Sequence, residues 1–371
     1  MAKKGTAFGG MALILKEFLD RHLPFAAYRL PDEKEIYHLF QSSPRLTFLQ
    51  PDEKISGLNG FVFSPFVNSS MPRLMIRGDH VLTEDIPVKV LGEILIRVGF
   101  SDNGYYRPSP YEATKKEFCS GVKSIISEIK KGTVNKAVLS RVHLQSVKKS
   151  FSAIATFEKL LAMYPSAMVY MAYLPHIGFW MGATPELLLE TEKDELTTVS
   201  LAGTKKEQDV IGVKWGLKEL MEQKMVTDHI KTCLDKYFDD FQLDGPNTVQ
   251  AGPVSHLKTS FRVKSNSRHI HQVFDDLLKD LHPTPAVGGM PKDAALKLIS
   301  KIEKHDRAYY SGFIGPVNIH NKTRLFINLR CMEVLHQYLS IYVGAGITSD
   351  SIPEDEWEET QIKAQTLLNA L

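Results

Sequence analysis

Apolar residues recur along the chain at two spacings, and each spacing predicts a different element. Between Glu112 and Lys131 the apolar residues Phe118, Val122, Ile125, Ile126 and Ile129 stand three or four apart, which predicts a helix with one buried face, stopped at Gly132. Comparable patterns predict helices over Ser152–Tyr164, Val213–Tyr237, Gln272–Leu281, Pro291–His305 and Pro353–Leu371. Shorter runs rich in β-branched and aromatic residues predict strands at Gly60–Phe66, Leu74–Arg77, Lys136–Leu144, Met168–Leu174, Gly178–Gly182 and Leu196–Leu201. Further runs of this kind follow at Tyr309–Ile319, Arg324–Val334 and Tyr338–Gly344. Turns as short as His320–Lys322 separate neighbouring strands, whereas parallel pairs need long crossovers. The expected class is therefore α+β, layered on large antiparallel sheets.

No repeat or low-complexity segment interrupts this order. The polar, Gly/Pro-bearing stretch Ser101–Tyr111 (SDNGYYRPSPY) is the expected seam, dividing 1–110 from a catalytic part at 111–371. At the N-terminus the apolar run Met11–Leu15 is cut short by Lys16 and Glu17, which fits an amphipathic helix better than a signal core. No stretch reaches the roughly 18 apolar residues of a spanning helix, so a membrane partner is not expected.

Composition narrows the function. The 371 residues are 43% hydrophobic and 24% charged, which is enough apolar material for a substantial core. With a net charge of only +2, nucleic acid is not implied as a partner. Cys119, Cys233 and Cys331 form no metal or disulfide pattern, which fits a reducing cytoplasm.

Several short segments carry groups capable of chemistry. Glu219 and Glu222 in KELMEQ, and Glu356 and Glu359 in EWEETQIK, are pairs three residues apart that project from one helix face each. Two such faces meeting would suit magnesium, which uses one or two protein carboxylates and completes its shell with water and anionic substrate. Read alone, such a pair is as a rule a solvated surface. Lys136 opens a strand, where it is either a solubilising edge residue or, if buried, a general base. Glu186 follows Pro185 after an apolar strand, where it is either a first-turn helix glutamate or a desolvated general acid. LAGTKK (201–206) and YVGAGIT (342–348) can bring main-chain N–H groups close to an anion, although such turns are commonly plain turn chemistry. Arg330 in FINLRC lies in an apolar run and calls for an anionic partner, a substrate carboxylate being one candidate. His269 and His271 lack a third ligand for a metal, and His282 is by default a loop histidine.

The ordered set KAVLSR, GATPELLLE, LAGTKK, KELMEQ, HPTPAVGGMP, YYSGFIG, LRC, GAGI and EWEETQIKAQTLL resembles the chorismate-utilising enzymes, and most closely the isochorismate synthases. The resemblance runs from about Tyr111 onward; the first hundred residues match only loosely. It implies a sandwich of two large antiparallel sheets flanked by helices, with chorismate and Mg²⁺ between them and the residues before Tyr111 completing the sheets. Lys136 then corresponds to the base that activates water and Glu186 to the acid that protonates the leaving hydroxyl. Glu222 and Glu359 look like the direct magnesium ligands, supported by Glu219 and Glu356. Arg330, Tyr310 and Gly344, Ala345 and Gly346 resemble the binders of the enolpyruvyl carboxylate; Ala202, Gly203, Thr204, His282 and Lys363 resemble further substrate-binding positions.

This chain departs from that pattern in carrying Gln223 where the family commonly has His, and Ala308 where it often has Gly after Arg. It also lacks the usual Pro before LAGT. The rival activities are salicylate synthase, ammonia-using anthranilate or aminodeoxychorismate synthase, and a silent chorismate-binding subunit. No Gly-x-Cys-x-Gly elbow is present, so no glutamine-amidotransferase partner is expected, and the expected state is a monomer or weak homodimer.

Overall fold

The computed structural model describes residues 9–67, 69–83, 107–206, 215–251 and 254–371. Two nine-stranded sheets account for the strands among them, and every pairing is antiparallel. The first sheet runs β14 (Gly289–Met290), β7 (Lys136–Ser146), β18 (Tyr338–Ile347), β17 (Cys331–Val334), β9 (Gly178–Thr184), β8 (Met168–Leu174), β1 (Phe25–Arg29), β2 (Tyr37–Phe40), β6 (His80–Leu82). The second runs β12 (Gln242–Ala251), β13 (Val254–Lys264), β11 (Glu195–Lys206), β10 (Leu187–Glu192), β16 (Lys322–Ile327), β15 (Phe313–Val317), β4 (Gly60–Ser64), β5 (Arg73–Arg77), β3 (Thr47–Leu49). Strands from the first hundred residues thus extend both sheets.

Strand alternation divides the core into layers. In β8, Val169 and Met171 face outward, where they pack with α1 (Gly9–Asp20), α3 (Ala153–Met163) and α7 (Pro353–Leu368). Met168, Tyr170 and Ala172 face inward, against Phe61, Phe63, Ile314 and Phe326 of the second sheet. The outer face of the second sheet is covered by α4 (Leu217–Leu234) and α5 (Ser267–Leu281) through Val226, Ile230, Phe274 and Leu278. At the end of the first sheet, α2 (Lys115–Lys130) and α6 (Lys292–Ile302) close over β7. The α2 start is written locally: the Thr114 side chain accepts from the Glu117 N–H, and the Glu117 carboxylate accepts from that of Thr114. No helix among the described residues is long and apolar enough to cross a membrane.

The structure differs from the sequence reading in several places. The run Arg324–Val334 is not one strand: it divides into β16 and β17, which belong to different sheets, and the chain crosses between them at Asn328–Arg330. Arg330 therefore lies in the crossover with φ +48 rather than in a strand. Glu186 does not begin a helix, because Leu187 starts β10. The strand expected from Tyr309 begins only at Phe313, since Ala308 and Ser311 take φ of +51 and +60, incompatible with extended chain. Ala308 thus holds a left-handed conformation in which glycine would be free of Cβ strain. β10, β12 and β13 were not anticipated: β12 is an exposed edge with few apolar residues, and β13 spreads its alternation over Leu257, Thr259, Phe261 and Val263. Of the expected seam, Ser101–Tyr106 lie outside the described residues, as do the Thr204 side chain and the first two residues of the helix expected from Val213.

Candidate active site

Between the sheets, near the ends of β7, β18 and β11, one pocket is lined by groups far apart in sequence. Its titratable lining residues are Glu186, Glu222, His256, Tyr310, Arg330, Glu359 and Lys363. Val138, Ala202, Gly203, Gly344 and Gly346 supply strand surface, and Ala286 and Val287 come from the turn after α5.

β7 brings Lys136 to the pocket's edge. The side chain is 1% exposed, so it is no solubilising residue, and Nζ donates to Glu222 Oε1 of α4 at 2.8 Å. Two glycines of β18 make room for this pair and for Tyr310. A Cβ on Gly346 would lie 2.6 Å from Glu222 Oε1 and 3.0 Å from Lys136 Cε, and one on Gly344 would lie 2.8 Å from the Tyr310 hydroxyl. Ala345, between them, points its methyl into the cluster beneath α2 and α6 and can offer the pocket only its backbone.

The two helices carrying glutamate pairs do meet. Glu222 and Glu359 line the pocket, whereas Glu219 and Glu356 do not. Glu356 is buried and accepts from Lys218 Nζ at 3.0 Å; Glu359 accepts from Lys363 Nζ at 2.6 Å, and Lys363 also donates to the Gly344 carbonyl at 2.9 Å. Glu219 packs against Gly203, whose φ of +69 lets the LAGT segment bulge where it faces α4. Lys218 lies within electrostatic reach of Glu356, Glu359 and Glu222 together, and these carboxylates raise its proton affinity against the opposing effect of burial. Among the described residues no three His, Cys, Asp or Glu side chains converge tightly enough to hold a metal unaided. A cation here would need water or substrate oxygens besides Glu222 and Glu359.

Charge in the pocket is divided unevenly. Burial pushes Glu186 up to about 8, against the pull of Lys136, Arg330 and Lys363, so at neutral pH it is mainly the neutral acid. Burial also opposes ionisation of Glu222, yet the charge and hydrogen bond of Lys136, helped by Lys363 and Lys218, hold it below the usual carboxylate range. Burial lowers Arg330, but an arginine stays charged, and no ion pair to its guanidinium forms among the described residues. A charged guanidinium facing a pocket without a carboxylate partner is an anion-binding group. Tyr310, stacked on Tyr342, is pushed up by burial to about 12 and remains a neutral hydroxyl.

Other expected residues stand further back. His282 caps the end of α5 and is not on the pocket wall. Its Nε2 donates to the Ser311 carbonyl at 2.9 Å, its ring meets Phe313 edge-on, and burial lowers it to about 4. Gln223 turns beneath α4, where Nε2 donates to the Ser200 hydroxyl and carbonyl at 2.9 and 3.2 Å, and its buried Oε1 has no partner. His269 contacts the Tyr237 carbonyl, and His271 is exposed.

Two residues of the site escaped the sequence reading, His256 on the pocket wall and Lys218, which pairs with Glu356. His256, lowered by burial to about 3, is neutral and contacts the Gly203 carbonyl through Nδ1 at 2.9 Å; the alternation of β13 was the available signal. Lys218 adjoins the first glutamate pair, but its reach to the second is visible only in three dimensions. A wider cleft of about 770 Å³ runs along the second sheet and meets this pocket only at Pro185 and Leu201. Its Arg324 is already engaged by Glu33 and Glu190.

Residues 103–371 match the family described as Chorismate binding enzyme. Isochorismate synthase EntC of Escherichia coli K12 is 29% identical over 245 residues, which are 64% of this chain and 62% of that protein, so the match spans less than two thirds of the relative's length. Isochorismate synthase MenF of Haemophilus influenzae is 28% identical over 268 residues, 69% of this chain and 61% of that protein. Anthranilate synthase component I from Streptococcus pneumoniae superposes with a TM-score of 0.66 at 19% identity, covering 92% of this chain and 89% of the other. At that identity the superposition speaks for the fold alone.

Proposed function

The chain belongs to the chorismate-binding enzyme family, and we propose that within it the chain is a magnesium-dependent isochorismate synthase. The observation that carries this reading is a pocket lined by a carboxyl held protonated up to about 8 and a guanidinium free to take an anion, with the buried Lys136 at its edge bonded to the lining Glu222.

In this reading Arg330, the Tyr310 hydroxyl and the Gly344–Gly346 backbone hold the enolpyruvyl carboxylate. Lys136 Nζ takes a proton from water as the water oxygen bonds to ring carbon 2. The ring double bonds shift, the bond from carbon 4 to its hydroxyl breaks, and Glu186 supplies the proton with which that hydroxyl leaves as water. To act as a base Lys136 must first release a proton to solvent and become the amine, whose lone pair can then face water while an N–H keeps the hydrogen bond to Glu222. Glu222 and Glu359 fit magnesium by their chemistry: hard carboxylate oxygens from two helices, facing one pocket, each neutralised by a lysine. Bound there, magnesium would neutralise and orient the ring carboxylate of the substrate. Lys136, at a position where ammonia-using relatives typically have glutamine, favours water as the nucleophile. The HPTPAVGGMP turn, of the kind typical of isochorismate synthases, favours stopping before pyruvate is lost. A homomeric state, either monomer or weak homodimer, and action without an amidotransferase belong to the same reading.

The test is to incubate protein, chorismate and Mg²⁺ near neutral pH, coupling one sample to isochorismatase and another to lactate dehydrogenase with NADH. The expected result is an isochorismatase-dependent signal, negligible NADH loss, and no turnover in excess EDTA or after Glu222→Gln or Glu359→Gln. Pyruvate and fluorescent salicylate formed in step with chorismate loss would make it a salicylate synthase; no chorismate consumption would leave the silent-subunit reading.

A further inference from the structure

β14 is only two residues long, and it covers β7 at Lys136 and Ala137 alone. One more backbone bond, from the Val138 N–H to the Gly288 carbonyl at 2.9 Å, completes the strand-like pairing on that side. The next two backbone groups of β7 facing the same way, the Val138 carbonyl and the Ser140 N–H, are buried and, among the described residues, have no strand beside them. Two side chains take the strand's place. Arg307 Nη2 donates to the Val138 carbonyl at 2.7 Å, and Glu303 Oε1 accepts from the Ser140 N–H at 2.7 Å.

The rest of the cluster fixes these two side chains. Arg307 Nε and Nη2 donate to Glu303 Oε2 and Oε1 at 2.8 and 2.6 Å, and the guanidinium lies over the Phe66 ring. Nη1 donates to the Val287 carbonyl at 2.8 Å, and the Arg307 carbonyl accepts from the Tyr310 N–H at 2.9 Å. The Ser140 hydroxyl can give its single proton to Glu303 Oε1 at 2.8 Å, so His305 Nε2, 2.9 Å away, must be the donor to Ser140 Oγ. A neutral His305 meets that demand, and burial keeps it neutral. Ser140 is thus no nucleophile, because its proton is committed to a carboxylate and its histidine is not a base. Through Val138, Val287 and Tyr310 the arginine touches the backbone of three stretches that line the pocket.

We propose that the Arg307–Glu303 pair is a side-chain substitute for the missing strand, positioning β7, and with it Lys136, against the Val287 turn and Tyr310. The inference rests on the functional reading above in taking Lys136 as the reacting group. A displacement of about 1 Å in a reacting group can cost on the order of 10²-fold in rate. Arg307→Lys keeps the charge but cannot reach Glu303, Val138 and Val287 together.

The experiment compares Arg307→Lys with Leu160→Ala, a core truncation remote from the pocket, with Tm measured for both and activity assayed well below either Tm. For Arg307→Lys, kcat for chorismate consumption is expected to fall on the order of 10²-fold with KM changed by less than about threefold. Leu160→Ala is expected to keep its kcat. Wild-type kcat in Arg307→Lys, or an equal loss in both variants, would overturn the positioning role. Should Arg307→Lys fail to fold, Glu303→Gln carries the same comparison. Hydrogen exchange in the unaltered protein gives an answer independent of turnover: slow exchange at the Ser140 amide supports the strand substitute, and exchange at the rate of an exposed edge overturns it. If the wild type consumes no chorismate, the functional reading falls and this exchange measurement still decides the inference.

Discussion

Glu186 and Glu222 line one pocket from different elements, the first from the connection between β9 and β10, the second from α4. Both are taken out of water, yet burial pushes Glu186 up to about 8 while Glu222 is held below the usual carboxylate range. What separates them is chiefly Lys136, through its charge and its hydrogen bond. Lys136 Nζ touches Glu222 at 2.8 Å and reaches Glu186 only through space, so desolvation wins at Glu186 and pairing wins at Glu222. A single lysine thereby leaves one wall an acid with a proton to give and the other an anion suited to a cation. Environment, and not residue type, assigns the two roles.

Removing the lysine breaks the comparison most severely. Lys136→Ala is expected to lower kcat by about 10³-fold or more, since it deletes the proposed base and leaves Glu222 without its closest partner. Glu222 should then titrate upward toward Glu186, which infrared difference spectra of the carboxyl stretch would register. Binding of chorismate, measured by calorimetry, should largely survive.

Glu186→Gln tests the other wall. The expected loss in kcat is on the order of 10²-fold, because the amide cannot supply the proton. In the wild type the acid form is required, so kcat should fall as pH rises through about 8, and this limb should vanish in the variant. The substitution should act on stability with the opposite sign. A carboxyl whose folded value is raised gives stability that is full below its unfolded value near 4.5 and is lost as pH rises toward 8. Glu186→Gln should therefore raise Tm relative to wild type at pH 8 and leave it nearly unchanged at pH 5, measured by thermal unfolding. An equal shift at both pH values would refute the assignment of a protonated Glu186.

Gly346→Ala sharpens the comparison without changing any charge. The added methyl would lie 2.6 Å from Glu222 Oε1, so Glu222 and Lys136 must shift together while Glu186 does not. A roughly tenfold loss in kcat is expected, with the Glu186 limb of the pH profile unmoved.

Much of this arrangement was legible in the chain. Periodicity located the helices that bear the paired glutamates, and the strand spanning Met168–Leu174 is where its apolar run placed it. The resemblance gathered the dispersed groups into one set, and most of them do share a pocket. Periodicity could not show the crossing at Asn328–Arg330, because Arg324–Val334 stays apolar enough on both sides of the crossover to read as continuous strand. β12 was hidden because an exposed edge imposes little pattern, and His256 was hidden with the strand that carries it. Nor could local sequence show that Glu303 and Arg307 complete the edge of β7, since the contact joins residues more than 160 positions apart.

α7 supplies Glu356, Glu359 and Lys363, and its Ala364 and Leu367 pack onto the outer face of the first sheet. It is also translated after every strand it covers. Without α7 docked, the pocket lacks one carboxylate wall and the Gly344 carbonyl lacks Lys363. Displacing that one helix would take Glu359 and Lys363 from the pocket, although no strand pairing of either sheet runs through it. The scaffold and the completed pocket are thus two separable things, joined by a single helix.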